Sequence, residues 1–437
     1  MPPDEPDIDA EFRRLFWAAW DEHGRLKERA TRDFPAHKSA LEFARAQTWP
    51  WAETLLEVSL LLEAGSPEQP FRLLAETEPA IPERWRSYFQ FVQAEVLLSR
   101  GDYANAIRTS RNLLDDPTFD APQRVLNNLG RAFHESGEFE EAIKAYRTAL
   151  GTAQSDVLGM IWHNLGVTHH SLGDNEQAIQ AYRQALANPK YLHPTYTWNN
   201  LGDIFFQQGD SQKAVDAYRN AVDDLLFFPP AGAWYRFGVA LSANSEFDEA
   251  IHAFRQTLSD PDFESRSTAC SDLGHAYLQA GEYDKSINAY HRVLRDPQSE
   301  NPADVWMNLG ITHQSIGEYD QAIHAYRKAL GPLWTGLPTG PPLSTGSLPN
   351  MDADHSKQGD LRSGKWHGQE TVPQLACENP AFVWANLAEA YLSAGRPELA
   401  EPAFLKALEH PDPTGEDHAR ARAGIERLKQ PPESGPG

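Results

Sequence analysis

An all-α solenoid of stacked antiparallel helix pairs is the fold this sequence predicts. The evidence is a 36-residue internal period, helical spacing of apolar residues within each copy, and a composition that can fill a core. The segments LNNLG, WHNLG, WNNLG, WYRFG, CSDLG and WMNLG begin at Leu126, Trp162, Trp198, Trp234, Cys270 and Trp306, each 36 residues after the last. WANLA follows at Trp384, 78 residues beyond Trp306. Such self-similarity is the mark of a repeat array.

Within a copy, apolar and small residues recur every three or four positions, so each half reads as an amphipathic helix. Gly137, Gly173, Gly209, Gly281, Gly317 and Gly395 supply the turn between halves. The acids that follow five of them, Glu138, Asp174, Asp210, Glu282 and Glu318, sit where a helix N-terminus favours negative charge. Small residues in the first helix (Gly130, Gly166, Gly202, Gly238, Gly274, Gly310) and in the second (Ala142, Ala178, Ala214, Ala250, Ser286, Ala322, Ala400) allow close approach. One pair cannot bury its own apolar face, so stacking is obligatory.

Trp198, Leu201, Gly202, Phe205, Ala214, Tyr218 and Ala221 resemble the tetratricopeptide repeat signature. The resemblance covers residues 123–330 and 381–410, with a period two residues longer than the family's usual one. It implies a right-handed superhelix of about nine pairs. The expected organisation is an N-terminal helical cap over residues 1–50 with a disordered start, and eight pairs over 51–330, the first two degenerate. An insertion at 331–379, a ninth pair at 380–411, and a capping helix with a disordered tail at 412–437 complete it. The insertion holds 13 Gly or Pro in 49 positions. Two readings stand for it: disorder, or docking back onto the array through residues such as Trp334 and Trp366.

Composition narrows the function. The 437 residues carry 39 Lys or Arg against 62 Asp or Glu, a net charge of −23, which repels nucleic acid in the absence of a basic stripe. The longest apolar run, near Leu55–Leu62, is interrupted by Glu57 and is too short for a bilayer. The acidic, Pro-rich N-terminus is unlike a targeting peptide. Only Cys270 and Cys377 are present, so no disulfide framework is expected, and the expected location is cytoplasmic.

Little in the chain reads as chemistry. No phosphate-binding loop, dinucleotide fingerprint or nucleophile elbow appears. His163 and His170 share a face of one helix and His134 ends the equivalent helix of the previous repeat, but no carboxylate or thiol completes a metal set. His169 and His313 take a slot filled elsewhere by Phe133, Phe205 and Tyr277, which points to core packing. Cys270 replaces a repeat tryptophan and reads as buried. No cofactor and no enzymatic activity are expected.

The resemblance places a partner-binding surface on the inner face of the first helices. Its sixth repeat position holds Asn128, Asn164, Asn200, Arg236, Asp272, Asn308 and Asn386. Amides can pair with the N–H and C=O of an extended peptide. The series resembles the asparagine ladder in the tetratricopeptide portion of O-linked N-acetylglucosamine transferase. The alternative is that these amides brace neighbouring helices. Arg236 and Asp272 interrupt the series and could pair with each other or select a charged group. Met160, Tyr196, Phe206, Tyr235, Met307 and Phe382, with Val167, Val239 and Ile311, give the face an apolar lining. The expected function is a non-enzymatic scaffold that binds a protein or peptide in its concave groove. The alternative is a regulatory or substrate-recruiting subunit of a separately encoded enzyme.

Overall fold

Helix starts and stops follow from short-range chemistry. A computed structural model describes residues 8–23, 35–63, 68–151, 157–191, 193–223, 231–296, 302–334 and 379–429. Among the described residues every regular element is helical. Asp102, Asp174 and Asp210 cap their helices, each accepting a hydrogen bond from the backbone N–H three residues on. Proline opens the helices at Pro122, Pro194 and Pro380, where a missing N–H costs nothing. The turn glycines end the preceding helices. Gly137 takes φ 81°, and Glu138 N donates to Phe133 O at 2.8 Å, closing the last helical turn.

The chain forms two compact units, Met1–Asn244 and Ser245–Gly437. The first begins with α1 (Ile8–His23) and α2 (Pro35–Ala46), then α3 (Pro50–Glu63) beside α4 (Glu68–Thr77), and α5 (Arg86–Ser99) beside α6 (Tyr103–Leu114). The regular pairs follow: α7 (Pro122–Glu135) with α8 (Phe139–Gly151), α9 (Leu158–Ser171) with α10 (Asn175–Leu186), and α11 (Pro194–Gln207) with α12 (Ser211–Val222). α13 (Ala231–Ala243) closes this unit. The unit boundary coincides with the one repeat turn that lacks glycine, where Ser245 takes φ 62°.

Within a regular pair, the first-helix glycine lies directly under the second-helix tyrosine. A Cβ on Gly130, Gly166 or Gly202 would stand 2.5–2.6 Å from the ring of Tyr146, Tyr182 or Tyr218 respectively. Ala142, Ala178 and Ala214 are fully buried and complete the close approach. Each tyrosine seals the interior of its own pair and also joins the core shared with the next, as Tyr182 does with Leu201 and Ile204.

The second unit runs from α14 (Phe247–Ser259) through α15 (Arg266–Gln279) with α16 (Tyr283–Leu294) and α17 (Pro302–Ser315) with α18 (Tyr319–Leu330). α19 (Pro380–Ser393) packs with α20 (Pro397–Glu409), and α21 (Glu416–Lys429) covers both. Tyr290 over Gly274 and Tyr326 over Gly310 repeat the same contact. Of the insertion, only residues 331–334 and 379 are described. Trp334 stacks on the buried Trp384 at 5.5 Å, and Arg327 lies 4.6 Å above the Trp334 ring. This described start of the insertion packs at the step between α18 and α19. The expectations for Trp366, for the disordered start and for the tail lie outside the described residues.

Candidate functional site

In the first unit the candidate face is formed by α7, α9, α11 and α13, which carry Asn128, Asn164, Asn200 and Arg236 at one register. Helical periodicity puts them on the same side of successive first helices, but their surroundings differ. Asn128 is 2% exposed, so it offers nothing to a ligand. Asn164 spends its Nδ2 on Asn127 Oδ1, at 2.9 Å. Asn200 is half-buried with its edge on the surface. A continuous row of free amides is therefore absent: Asn164 braces the neighbouring first helix through Asn127, and Asn128 is enclosed.

Other polar groups on this face tie neighbouring first helices together. His134 Nδ1 lies 3.0 Å from Thr168 Oγ1, and His163 Nδ1 lies 2.7 Å from Thr197 Oγ1. Arg131 donates to Glu95 at 3.1 Å. Tyr191, from the connection before α11, packs on Gly159 and shares the Thr197 hydroxyl at 2.7 Å. Burial, reinforced by the nearby His193, pulls the His163 imidazole down to about 4, so it is neutral near pH 7. The signal for these ties was in the sequence as polar pairs about one period apart, but apolar spacing alone does not show it.

Arg236 pairs with Asp203 of α11 at 3.2 Å, and Tyr218 Oη donates to the same carboxylate at 2.6 Å. This corrects the expected Arg236–Asp272 pair, since Arg236 finds its carboxylate within its own unit. Tyr196 and Phe206 of α11 are 39% and 37% exposed, more than an apolar ring needs for stacking. Met160 and Tyr235 are partly buried; Met160 packs against the core, and Tyr235 is held by neighbours.

In the second unit Asp272 is partly buried and engaged, while Asn308 stays partly exposed. Asn386 is 8% exposed: its Nδ2 donates to Phe382 O at 2.9 Å, and Arg420 of α21 donates to its Oδ1 at 3.1 Å. Met307 and Phe382 pack against the core, and the Arg420 guanidinium sits 5.9 Å from the Phe382 ring centre. The capping helix thus occupies the last stretch of first-helix face, which removes Asn386 and Phe382 from a free surface. Both expectations are corrected on that ground.

Among the described residues no three His, Cys, Asp or Glu side chains could together hold a metal ion. Cys270 is buried, and burial pushes its thiol pKa up, away from the nucleophilic thiolate. No described helix is long and apolar enough to cross a membrane.

Comparison with known proteins matches tetratricopeptide repeats to residues 123–190 and 160–225, to 271–338, and to 383–409. No curated protein matches the chain in sequence. Among solved structures, MamA is 26% identical over 38% of this chain and 92% of its own, with a TM-score of 0.33. YrrB, described as a repeat protein of this kind with an unusual peptide-binding site, is 17% identical over 43% of this chain and 92% of its own, at 0.38. The C-terminal part of a repeat protein from Cytophaga hutchinsonii is 15% identical over 55% of this chain and 94% of its own, at 0.44. The matches over 123–225 and 271–338 coincide with the glycine-under-tyrosine helix pairs, the match over 383–409 falls on α19 and α20, and the chain is a tetratricopeptide repeat protein.

Proposed function

We propose that the protein is a non-enzymatic scaffold that holds an extended segment of a partner protein against the first-helix face of its N-terminal unit. The observation that carries this reading is the exposure of Tyr196 and Phe206 on one helix, with the half-buried amide of Asn200 between them. The core of that layer is already closed by Leu201, Ile204 and Tyr218, so the two rings are not needed for folding. Covering each contributes roughly 1.5–3 kcal/mol of apolar burial. Asn200 can pair with a peptide group of the bound segment, and the Asp203–Arg236 pair marks the charged edge of the surface. MamA and YrrB are similar in repeat type, and peptide binding by YrrB is in keeping with the same use here.

The test is site-specific photocrosslinking from positions 196 and 206, compared with a crosslinker on the exposed face at Glu176. The expected result is one partner captured from the two inner positions and lost in the Tyr196→Ala/Phe206→Ala variant, whose thermal unfolding is unchanged. Equal capture by wild type and the double variant would remove this reading. If the captured protein is an enzyme, the scaffold acts as its recruiting subunit.

A further inference from the structure

The layer built from α9 and α10 differs from its neighbours on the second-helix side. Second helices carry an arginine at one register, including Arg111, Arg147, Arg183 and Arg219. Two of them rest on a ring of the following first helix: Arg111 lies 5.5 Å from the Phe133 ring centre and Arg219 5.7 Å from that of Phe237. Beneath Arg147 the corresponding residue is His169, smaller than Phe and 6% exposed. Next along, the Phe205 ring is approached by Lys213 at 5.8 Å. Neither Arg147 nor Arg183 makes an ion pair or rests on a ring among the described residues.

Between these two arginines lies a cleft of 520 Å³, floored by Trp162, Leu165 and His169 of α9. Gln177, Gln180 and Gln184 line its α10 wall. No carboxylate lines it; the nearest acid at His169 is Asp174, whose Oδ2 stands 3.4 Å from His169 Nδ1. A chain with a net charge of −23 here presents two cations and no acid to one cavity. α8 and α10 both pack on α9, and their guanidinium groups line one cleft, so they can approach one anionic group from both sides.

We propose that this cleft is a second recognition site, separate from the first-helix face, for an acidic side chain of a partner peptide. An aspartate or glutamate carboxylate enters between Arg147 and Arg183, and the adjoining apolar part of the peptide lies on the Trp162 indole. The glutamine amides pair with the peptide backbone on either side. The volume falls within the range of ordinary ligand pockets, so it accommodates the acidic side chain and part of a neighbouring residue.

The test is an array of short peptides with one fixed Asp, Glu or Gln and the other positions randomised, probed with the full-length protein. Acidic peptides should be retained over their Gln counterparts, and retention should weaken as salt rises from about 50 to about 300 mM. Arg147→Ala with Arg183→Ala should lower affinity about tenfold or more. His169→Phe, which restores beneath Arg147 the ring that holds Arg111 at Phe133, should draw that guanidinium down and weaken retention while keeping the melting temperature. Equal retention of acidic and neutral peptides, or acidic retention that survives Arg147→Ala with Arg183→Ala, would overturn the assignment. The Tyr196→Ala/Phe206→Ala variant separates the two sites: unchanged acidic retention supports the cleft. Loss of retention in that variant places the peptides on the first-helix face and ends this proposal, leaving the other intact.

Discussion

Residues 8–121 and the pairs from α7 to α12 bury their interiors in different ways, although both belong to the same unit. In the N-terminal part, aromatic rings from segments far apart in sequence meet in one cluster. The Phe12 ring alone contacts Phe16, Phe43, Trp49, Trp51 and Trp85 at 5.1–6.3 Å. In the regular pairs, the same glycine–tyrosine contact recurs at a separation of 16 residues, from Gly130–Tyr146 to Gly202–Tyr218. Arg124, at the start of α7, lies 4.6 Å above the Trp17 ring and joins the two regions. The difference teaches where damage spreads. A one-off aromatic cluster has no duplicate, so losing one ring affects every helix that meets there. A layered array shares its stability among near-equal neighbours, so a lesion stays close to its own layer.

The largest test of this contrast is Trp85→Ala. Trp85 is fully buried, and its removal should cost about 3–5 kcal/mol. Hydrogen exchange should accelerate through α1–α5 while α9–α12 keep their protection. Uniform loss of protection along the unit would show one cooperative block and end the contrast.

Acidification probes the other region. The neutral His163 in the fold, at about 4, faces an unfolded value near 6.5. The unfolded chain therefore takes up a proton first, and stability should fall as pH drops from about 6.5 towards 4, by roughly 2–3 kcal/mol at most. Burial also holds His37 in the cap below its ordinary value, so the comparison must be made by subtraction. Urea midpoints at about pH 7 and about pH 5 should converge for His163→Gln relative to wild type. Identical pH slopes for the two proteins would mean that His163 does not carry the effect.

Gly202→Leu should cost ~1–3 kcal/mol, because any Cβ there meets the Tyr218 ring at 2.5 Å. Displacing Tyr218 also disturbs its hydrogen bond to Asp203 and the Asp203–Arg236 pair. Exchange should rise in α11–α13 and remain unaltered in the cap. Destabilisation of the cap to the same degree would contradict layer-limited damage.

The smallest effect expected is a gain. Ser245 occupies left-handed backbone, φ 62°, at the turn where other copies use glycine. Ser245→Gly should relieve that strain and stabilise by about 0.5–1 kcal/mol after the added chain entropy is counted. A lower melting temperature for this variant would show that the serine side chain contributes more than its strain costs.

The repeat length, the helix pairs and their turns were legible because they depend on residues a few positions apart. Apolar spacing defines a helical face, glycine allows positive φ, and aspartate accepts the free N–H groups of a helix start. The Gly202–Tyr218 contact lies within one pair and could be anticipated in kind. Face assignment also put Tyr196, Phe206 and Asn200 on one surface, and the structure leaves those three at least partly open.

The same assignment could not distinguish Asn200 from Asn128 or Asn386. All three occupy one register, but Asn128 is enclosed by its neighbours and Asn386 is bonded to Arg420 of the capping helix. Likewise His163 reads as a lone histidine until Thr197, one repeat later, comes within 2.7 Å. The aromatic cluster around Phe12 follows no period, and the cleft beside His169 exists only because two second helices stand on either side of it. By itself the sequence determined which residues form each helix and which way they face, since both follow from local geometry. Whether a given polar or aromatic group is buried, bonded or left open was decided by tertiary structure, because the atoms that cover it belong to another turn of the array.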